Sequence, residues 1–309
     1  MRRFFAVSIV ILCAATAAAA TSSQLLVSTD WLAQNLGRRG LVVVEVGERA
    51  SFEQAHIPGA RFVALADLVT ERNGVPNELP EIAALERTFS AAGVRDLGRI
   101  VIYSRELIAA TRAYFTLDYL GCGDQAAVLD GGFAKWSAEQ RPFESGPAKN
   151  RAASFTARPN PDAVVRIGQM RILVPTSQSM SSELAVVDAR PVEQYAGSES
   201  GPGVARAGHI PGALSVPWTM NLTSGPTPVF RDAADLRVLY HDCGVPLGGS
   251  VITYCRTGMQ ASITYFVLRY LGTDVHLYDG SYIEWNCAEG TTVYANAVSG
   301  SLAQPGETG

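Results

Sequence analysis

Val251-Ile252-Thr253-Tyr254-Cys255-Arg256-Thr257-Gly258-Met259-Gln260-Ala261 is the stretch on which the reading of this chain turns. A β-branched run stops at a cysteine, a short loop with an arginine and a glycine follows, and a helical pattern starts near Ala261 and runs to Leu271. Such a strand-to-helix step belongs to a parallel α/β sheet. It sets the cysteine at the carboxyl end of a strand, among the free N–H groups of a helix N-terminus. Those donors and the helix dipole favour thiolate over thiol, and the thiolate is the reactive species. A lone cysteine in an apolar strand is ordinarily a small buried hydrophobe. Here the adjoining cation and the backbone freedom of glycine argue instead for a nucleophile in an oxyanion cradle.

The stretch has an upstream counterpart, Val101-Ile102-Tyr103-Ser104-Arg105, with Ser104 opposite Cys255. His56-Ile57-Pro58-Gly59-Ala60 returns as His209-Ile210-Pro211-Gly212-Ala213, and Tyr119-Leu120-Gly121 as Tyr270-Leu271-Gly272. Asp130-Gly131 with Trp136 returns as Asp279-Gly280 with Trp285, and the offset stays between 149 and 153 residues throughout. Matches at a nearly constant offset mean two copies of one domain. In the first copy strands are predicted near 41–46, 61–64, 100–103 and 126–129, and helices near 29–36, 81–92, 108–120 and 133–139. In the second, strands are predicted near 185–188, 213–216, 251–254 and 275–277. This alternation predicts an α/β fold in which each copy is a parallel sheet flanked by helices on both faces. Ligands collect at the carboxyl ends of the strands in such sheets. Residues 143–163, rich in Pro, Ala, Asn and Arg without periodicity, read as a linker.

A length of 309 residues suits about two domains of roughly 100–200 residues each. Residues 1–20 read as a secretory signal: Arg2-Arg3, an apolar run from Phe4 to Cys13, then alanines ending Ala18-Ala19-Ala20, with cleavage after Ala20. The apolar run is too short for a membrane anchor. Leu12 before Cys13 argues against lipoprotein processing, and Arg2-Arg3 leaves a twin-arginine route open. The expected organisation is a signal peptide at 1–20, a first domain at 21–142, the linker, a second domain at 164–290 and a tail at 291–309. The expected location is periplasmic or secreted, with no membrane association after signal removal. Without Arg2 and Arg3 the formal net charge of −4 becomes −6, which argues against a nucleic-acid partner. Lys135 and Lys149 are the only lysines, so cationic work falls to arginine, whose planar fork suits oxyanions. Export permits disulfides; with Cys255 free, a bridge between Cys243 and Cys287 stays open, and Cys122 is left over.

These residues resemble the tandem-domain rhodaneses, the thiosulfate sulfurtransferase family. The duplicated His-Ile-Pro-Gly-Ala, the Cys255-Arg256-Thr257-Gly258 loop, Asp279-Gly280 with Trp285, and Asp188-Ala189-Arg190 after a strand carry the resemblance. It implies two rhodanese-like domains, the first without a nucleophile and the second with one, in keeping with Ser104 against Cys255. It implies that Cys255 takes the sulfane sulfur of thiosulfate as a persulfide and passes it to cyanide or a thiol acceptor, in two half-reactions. The donor is expected against Arg256, Thr257, Gly258, Met259 and Gln260, with Arg190 approaching the site; the other reading of Arg190, compatible with the first, is an internal ion pair with Asp188 or another acid. No metal or organic cofactor is expected, and a monomer is, because the duplicated chain supplies its own pseudo-dimer.

Within the family, thiosulfate enzymes resemble Cys-Arg-x-Gly-x followed by Arg, Lys or Thr, and 3-mercaptopyruvate enzymes resemble Cys-Gly-Ser-Gly-Val-Thr. This chain has Arg256 and Gly258 of the first type, with Gln260 where a cation or threonine is expected. The alternatives are a 3-mercaptopyruvate sulfurtransferase and a non-enzymatic exported sulfur carrier. A tyrosine phosphatase of the same fold needs an arginine six positions after the cysteine, where this chain has Ala261. His56 and His209 read as structural, because they begin equivalent turns in both halves; Trp218 reads equally as pocket lining or core.

Overall fold

The structure, a computed structural model, describes residues 25–174 and 184–295. The segment read as a signal peptide and most of the tail lie outside the described residues. The first half comprises β1 (Leu26–Val27), α1 (Thr29–Asn35), β2 (Leu41–Gly47), α2 (Arg49–Gln54), β3 (Arg61–Ala64), β4 (Thr70–Arg72), β5 (Val75–Glu78), α3 (Ile82–Ala91), β6 (Arg99–Tyr103), α4 (Leu107–Tyr119), β7 (Ala126–Leu129) and α5 (Gly132–Ala138). The second comprises β8 (Val164–Val165), α6 (Ile167–Leu173), β9 (Leu184–Asp188), α7 (Val192–Ala196), β10 (Leu214–Ser215), α8 (Ala233–Asp242), β11 (Ser250–Tyr254), α9 (Ala261–Leu271), β12 (Asp274–Tyr278) and α10 (Ser281–Cys287).

Each half folds into one five-stranded parallel sheet, and the two sheets have the same order. The first runs β3-β2-β6-β7-β1 and the second β10-β9-β11-β12-β8. The repeat seen in the sequence is therefore a repeat of topology. Alternate residues of each strand face opposite sides: Val44, Val46, Ile100 and Ile102 point inward, whereas Val43, Val101 and Tyr103 point outward beneath Leu32 of α1, Phe52 of α2 and Trp136 of α5. The second sheet is covered on its outer face by Met170 of α6 and by Tyr282 and Trp285 of α10. The inner faces of both sheets share a single core through α4 and α9.

The seam obeys the pseudo-symmetry. Thr111 and Ser262 hydroxyls meet at 2.8 Å. Tyr114 packs edge-on against Phe266 at 4.9 Å, and Phe115 against Tyr265 at 5.0 Å. Asp130 accepts a hydrogen bond from Phe230 N at 2.9 Å across the seam, and Asp279 accepts the equivalent one from Leu79 N at 2.8 Å. The segment between the halves has no strand or helix from residue 145 to 160, yet it is pinned to the first half. Asn150 exchanges two hydrogen bonds with Phe62 of β3, and Ala153 N donates to Ser90 O.

Candidate active site

At the carboxyl end of β11, six residues (Cys255 to Gln260) separate the strand from α9. The loop can turn back on itself because Gly258 adopts φ +80°, a conformation that costs other L-residues about 1–2 kcal/mol. The glycine is also required by space: a Cβ there would stand 3.0 Å from Asp279 O and 3.4 Å from an Arg112 nitrogen. Cys255 is buried, Arg256, Met259 and Gln260 are half-buried, and Thr257 and Gly258 are buried. Among the described residues, none of the backbone N–H groups of Arg256 to Gln260 finds a protein acceptor. A loop of unspent donors around a cysteine at a helix start is an oxyanion cradle. The structure thus brings Cys255, Arg256, Thr257, Gly258, Met259 and Gln260 together.

α10 holds the loop from below. Tyr282 N donates to Cys255 O at 2.9 Å and Ile283 N to Arg256 O at 3.0 Å. Ser281 Oγ accepts from Cys255 N at a long 3.4 Å and donates to Tyr278 O at 2.8 Å. Ser281 sits at φ +53°, an uncommon conformation for a residue with a side chain. Such strain persists only where the surroundings over-determine it, and it clusters at functional sites. The sequence marks Asp279-Gly280 but not Ser281, because the strained φ arises from tertiary packing.

The first half also reaches the loop. Asn77, within β5 and at φ +63°, donates to Thr257 Oγ1 at 3.1 Å. Arg112 of α4 donates to Asn77 O at 2.8 Å and to Asp279 Oδ1 at 3.2 Å, and it is fully buried. Asp279 is further held by Arg166 at 3.2 Å. A buried carboxylate with this many partners is a fixed strut behind Gly258. These cross-domain residues carry no local sequence signal, since their partners lie in the other half.

Arg190 does not stand among the loop residues, and of its two readings the internal ion pair with Asp188 is the one on display. Its side chain is fully buried. It pairs with Asp188 at 2.6 Å, donates to Gly208 O at 2.7 Å and lies 3.7 Å from the centre of the Tyr282 ring. Burial pulls the guanidinium down, but Asp188 more than offsets this and holds it above the ordinary arginine value. Asp188 also accepts from Tyr254 OH at 2.7 Å, and Tyr254 OH accepts from Ile210 N at 3.1 Å. Arg190 therefore positions Tyr282, which holds the Cys255 carbonyl, and presents nothing to solvent. His209 Nδ1 donates to Tyr195 O and His56 Nδ1 to Phe52 O, both at 2.8 Å, as structural residues do. Trp218 packs against the shared core. Cys122, Cys243, Cys255 and Cys287 are all free thiols, so the Cys243–Cys287 bridge does not form.

Ser104 occupies the place of Cys255 in the first half, and its environment differs. Only three residues, Ser104 to Glu106, separate β6 from α4. The Ser104 hydroxyl donates to Glu106 O and accepts from Ala110 N at 3.2 Å, so it is spent on starting the helix. Arg105 is tied to the Ser51 and Ala55 carbonyls at 2.6 and 2.7 Å.

Fold and site together define a tandem-domain α/β protein with one cysteine-centred anion cradle. The family model of the rhodanese-like domain matches residues 28–139 and again 176–288, and the chain belongs to that family. The thiosulfate sulfurtransferase of Pseudomonas aeruginosa is 32% identical over 265 residues, spanning 84% of this chain and 93% of its own. The 3-mercaptopyruvate sulfurtransferase of Escherichia coli K12 is 28% identical over 273 residues, spanning 84% and 94%. The crystal structure of a 3-mercaptopyruvate sulfotransferase of the rhodanese fold from Escherichia coli superposes with a TM-score of 0.73 at 26% identity, covering 84% of this chain and 99% of its own. Relatives with either substrate name are sulfur-transferring enzymes, and sulfurtransferase activity is the coarse reading they support here.

Proposed function

We propose that the protein moves the sulfane sulfur of thiosulfate to cyanide or a thiol through a persulfide on Cys255. The Cys255 thiolate attacks the outer sulfur of thiosulfate, the S–S bond of thiosulfate breaks, and sulfite leaves with its electron pair. The terminal persulfide sulfur is then taken by cyanide, giving thiocyanate, or by a thiolate, and Cys255 returns as thiolate. The supporting observation is the six-residue loop: unspent N–H donors from Arg256 to Gln260 surround a buried cysteine and one half-exposed cation. Arg256 supplies a full positive charge beside the sulfur, suited to the dianionic sulfonate end of thiosulfate. Its Nη1 donates to Pro202 O at 3.0 Å, which keeps the guanidinium at the rim of the loop.

A 3-mercaptopyruvate donor is the second reading, favoured by Gln260, which stands where the thiosulfate pattern has a cation or threonine, and by the Escherichia coli relative. Initial rates with each donor, measured side by side at equal concentration, separate the two. Faster turnover with thiosulfate supports the reading, and a preference for 3-mercaptopyruvate overturns it.

The proposed setting is the periplasm or the extracellular space, reached by cleavage after Ala20, with the mature chain acting as a monomer. Amino-terminal sequencing of the exported protein and its mass in solution test these points. Recovery of an uncleaved cytoplasmic chain contradicts the location.

A further inference from the structure

Arginines that the sulfur chemistry leaves unused gather at the opposite end of the first sheet. A cleft of about 520 Å3 opens there, at the amino ends of β2, β3 and β6, and Arg38, Arg39, Arg61, Arg95, Arg99 and Arg151 line it. None of the lining residues is acidic, and none belongs to the second half. Arg61 and Arg99 are half-buried and the other four arginines are exposed.

The convergence is built into the backbone. Four segments supply the arginines: the loop after α1, the start of β3, the turn into β6 and the segment after residue 145. Asn150 clamps the last of these onto β3, beside Arg61. Gly93 allows the Arg151 carbonyl to approach so closely that a Cβ would stand 2.5 Å from it, and Gly98 does the same for Gly40 O at 2.8 Å.

The arginines meet without counter-charge. Arg38 donates to Asn35 Oδ1 at 3.2 Å. Among the described residues, the side chains of Arg39, Arg61, Arg95, Arg99 and Arg151 have no hydrogen-bond acceptor or ion-pair partner, and the neighbouring Asp96 is turned to Thr156 N at 2.7 Å. Burial, then the charges of Arg151 and Arg95, lower the pKa of Arg61; burial lowers that of Arg99. Like charges held together at a cost in the free protein are what a bound anion relieves.

We propose that this cleft is a binding site for a small polyanion with several phosphate or sulfate groups, and that a linear oligophosphate is the form it fits. Arginine forks take phosphate oxygens two at a time. The volume lies within the range of about 300–1,000 Å3 typical of small-molecule sites. A lone tetrahedral anion engages one or two of six arginines spread over four segments, whereas a chain of phosphates engages them together. The surface is a cleft rather than a plane, which favours a molecule over a lipid bilayer. The site is independent of Cys255, being made only of first-half residues and Arg151 of the segment between the halves.

Isothermal titration of the full chain at low ionic strength, with inorganic tripolyphosphate, inorganic sulfate and phosphatidylglycerol vesicles as separate probes, tests this. The expected result is one tripolyphosphate per chain, bound more tightly than sulfate and unaffected by Cys255→Ser. Arg61→Gln and the variant at the exposed position, Arg151→Gln, should each weaken it by roughly ten- to a hundred-fold, with thermal melting showing both variants folded. No tripolyphosphate binding, equal binding by the folded Arg151→Gln chain, tighter binding of sulfate, or binding of vesicles alone would overturn the proposal.

Discussion

Cys255 and Ser104 directly follow equivalent strands, and their surroundings decide their chemistry. Replacing Ser104 with cysteine in a Cys255→Ser chain should therefore recover no comparable turnover. That loop is three residues long, its helix begins a turn earlier, and the side chain at 104 points into the helix start. Substantial recovered activity would show that loop length is not what matters. Gly258 carries both a left-handed φ and a close approach to Asp279 O. Gly258→Ala should cost about 1–2 kcal/mol of stability and lose most of the transfer rate, read by thermal melting and steady-state kinetics together. Arg256 is half-exposed and not needed for the fold, so Arg256→Gly should leave the melting temperature nearly unchanged. Losing one hydrogen bond to a charged donor, about 1.5–3 kcal/mol, should lower kcat/KM for thiosulfate by roughly ten- to a hundred-fold.

At the scale of elements, α4 and α9 make the seam that turns two small sheets into one core. Asp118 of α4 accepts from Tyr265 OH at 2.6 Å and Arg269 Nε at 3.0 Å, both on α9. Asp118→Ala strands a partly buried arginine and a buried phenol. It should destabilise the chain by about 3 kcal/mol, the lower end of the range for a broken buried pair because Arg269 is a third exposed; chemical denaturation reads this directly. Strands such as β2, β6 and β11 were legible because their β-branched runs are long enough to show a pattern. The edge strands β1 and β8 were not: each is two residues long and exists by pairing with β7 and β12. The loop around Cys255 was legible because its chemistry is local. Ser281, Asn77 and Arg112 were not, because their roles depend on a strained φ or on the other half. For Arg190 the ion pair with Asp188 was legible only as one of two readings, because a motif places a residue beside a strand end without saying whether its side chain turns outward or under.

At the scale of the whole molecule, both halves build the loop around Cys255, with the first half as its support. Glu78 of β5 lies in that support, near Arg72 at 3.3 Å and Arg166 at 3.6 Å. Burial, then repulsion from Asp279, raises its carboxyl above the ordinary glutamate value. The folded state thus holds this proton more tightly than the unfolded chain does. Stability is lost as pH rises from the ordinary value through the raised one. Glu78→Gln removes that loss, so its melting temperature should gain on the parent progressively across this window, and a pH-independent difference would contradict the assignment. The central claim is that, although the fold occurs twice, the sulfur chemistry occurs once, on Cys255. Intact-protein mass spectrometry after thiosulfate treatment, followed by peptide mapping, tests it most directly. One added sulfur per chain, located on Cys255 and absent from Cys255→Ser, is the predicted result; no added sulfur, or sulfur on Cys122, Cys243 or Cys287 with Cys255 unmodified, would contradict it.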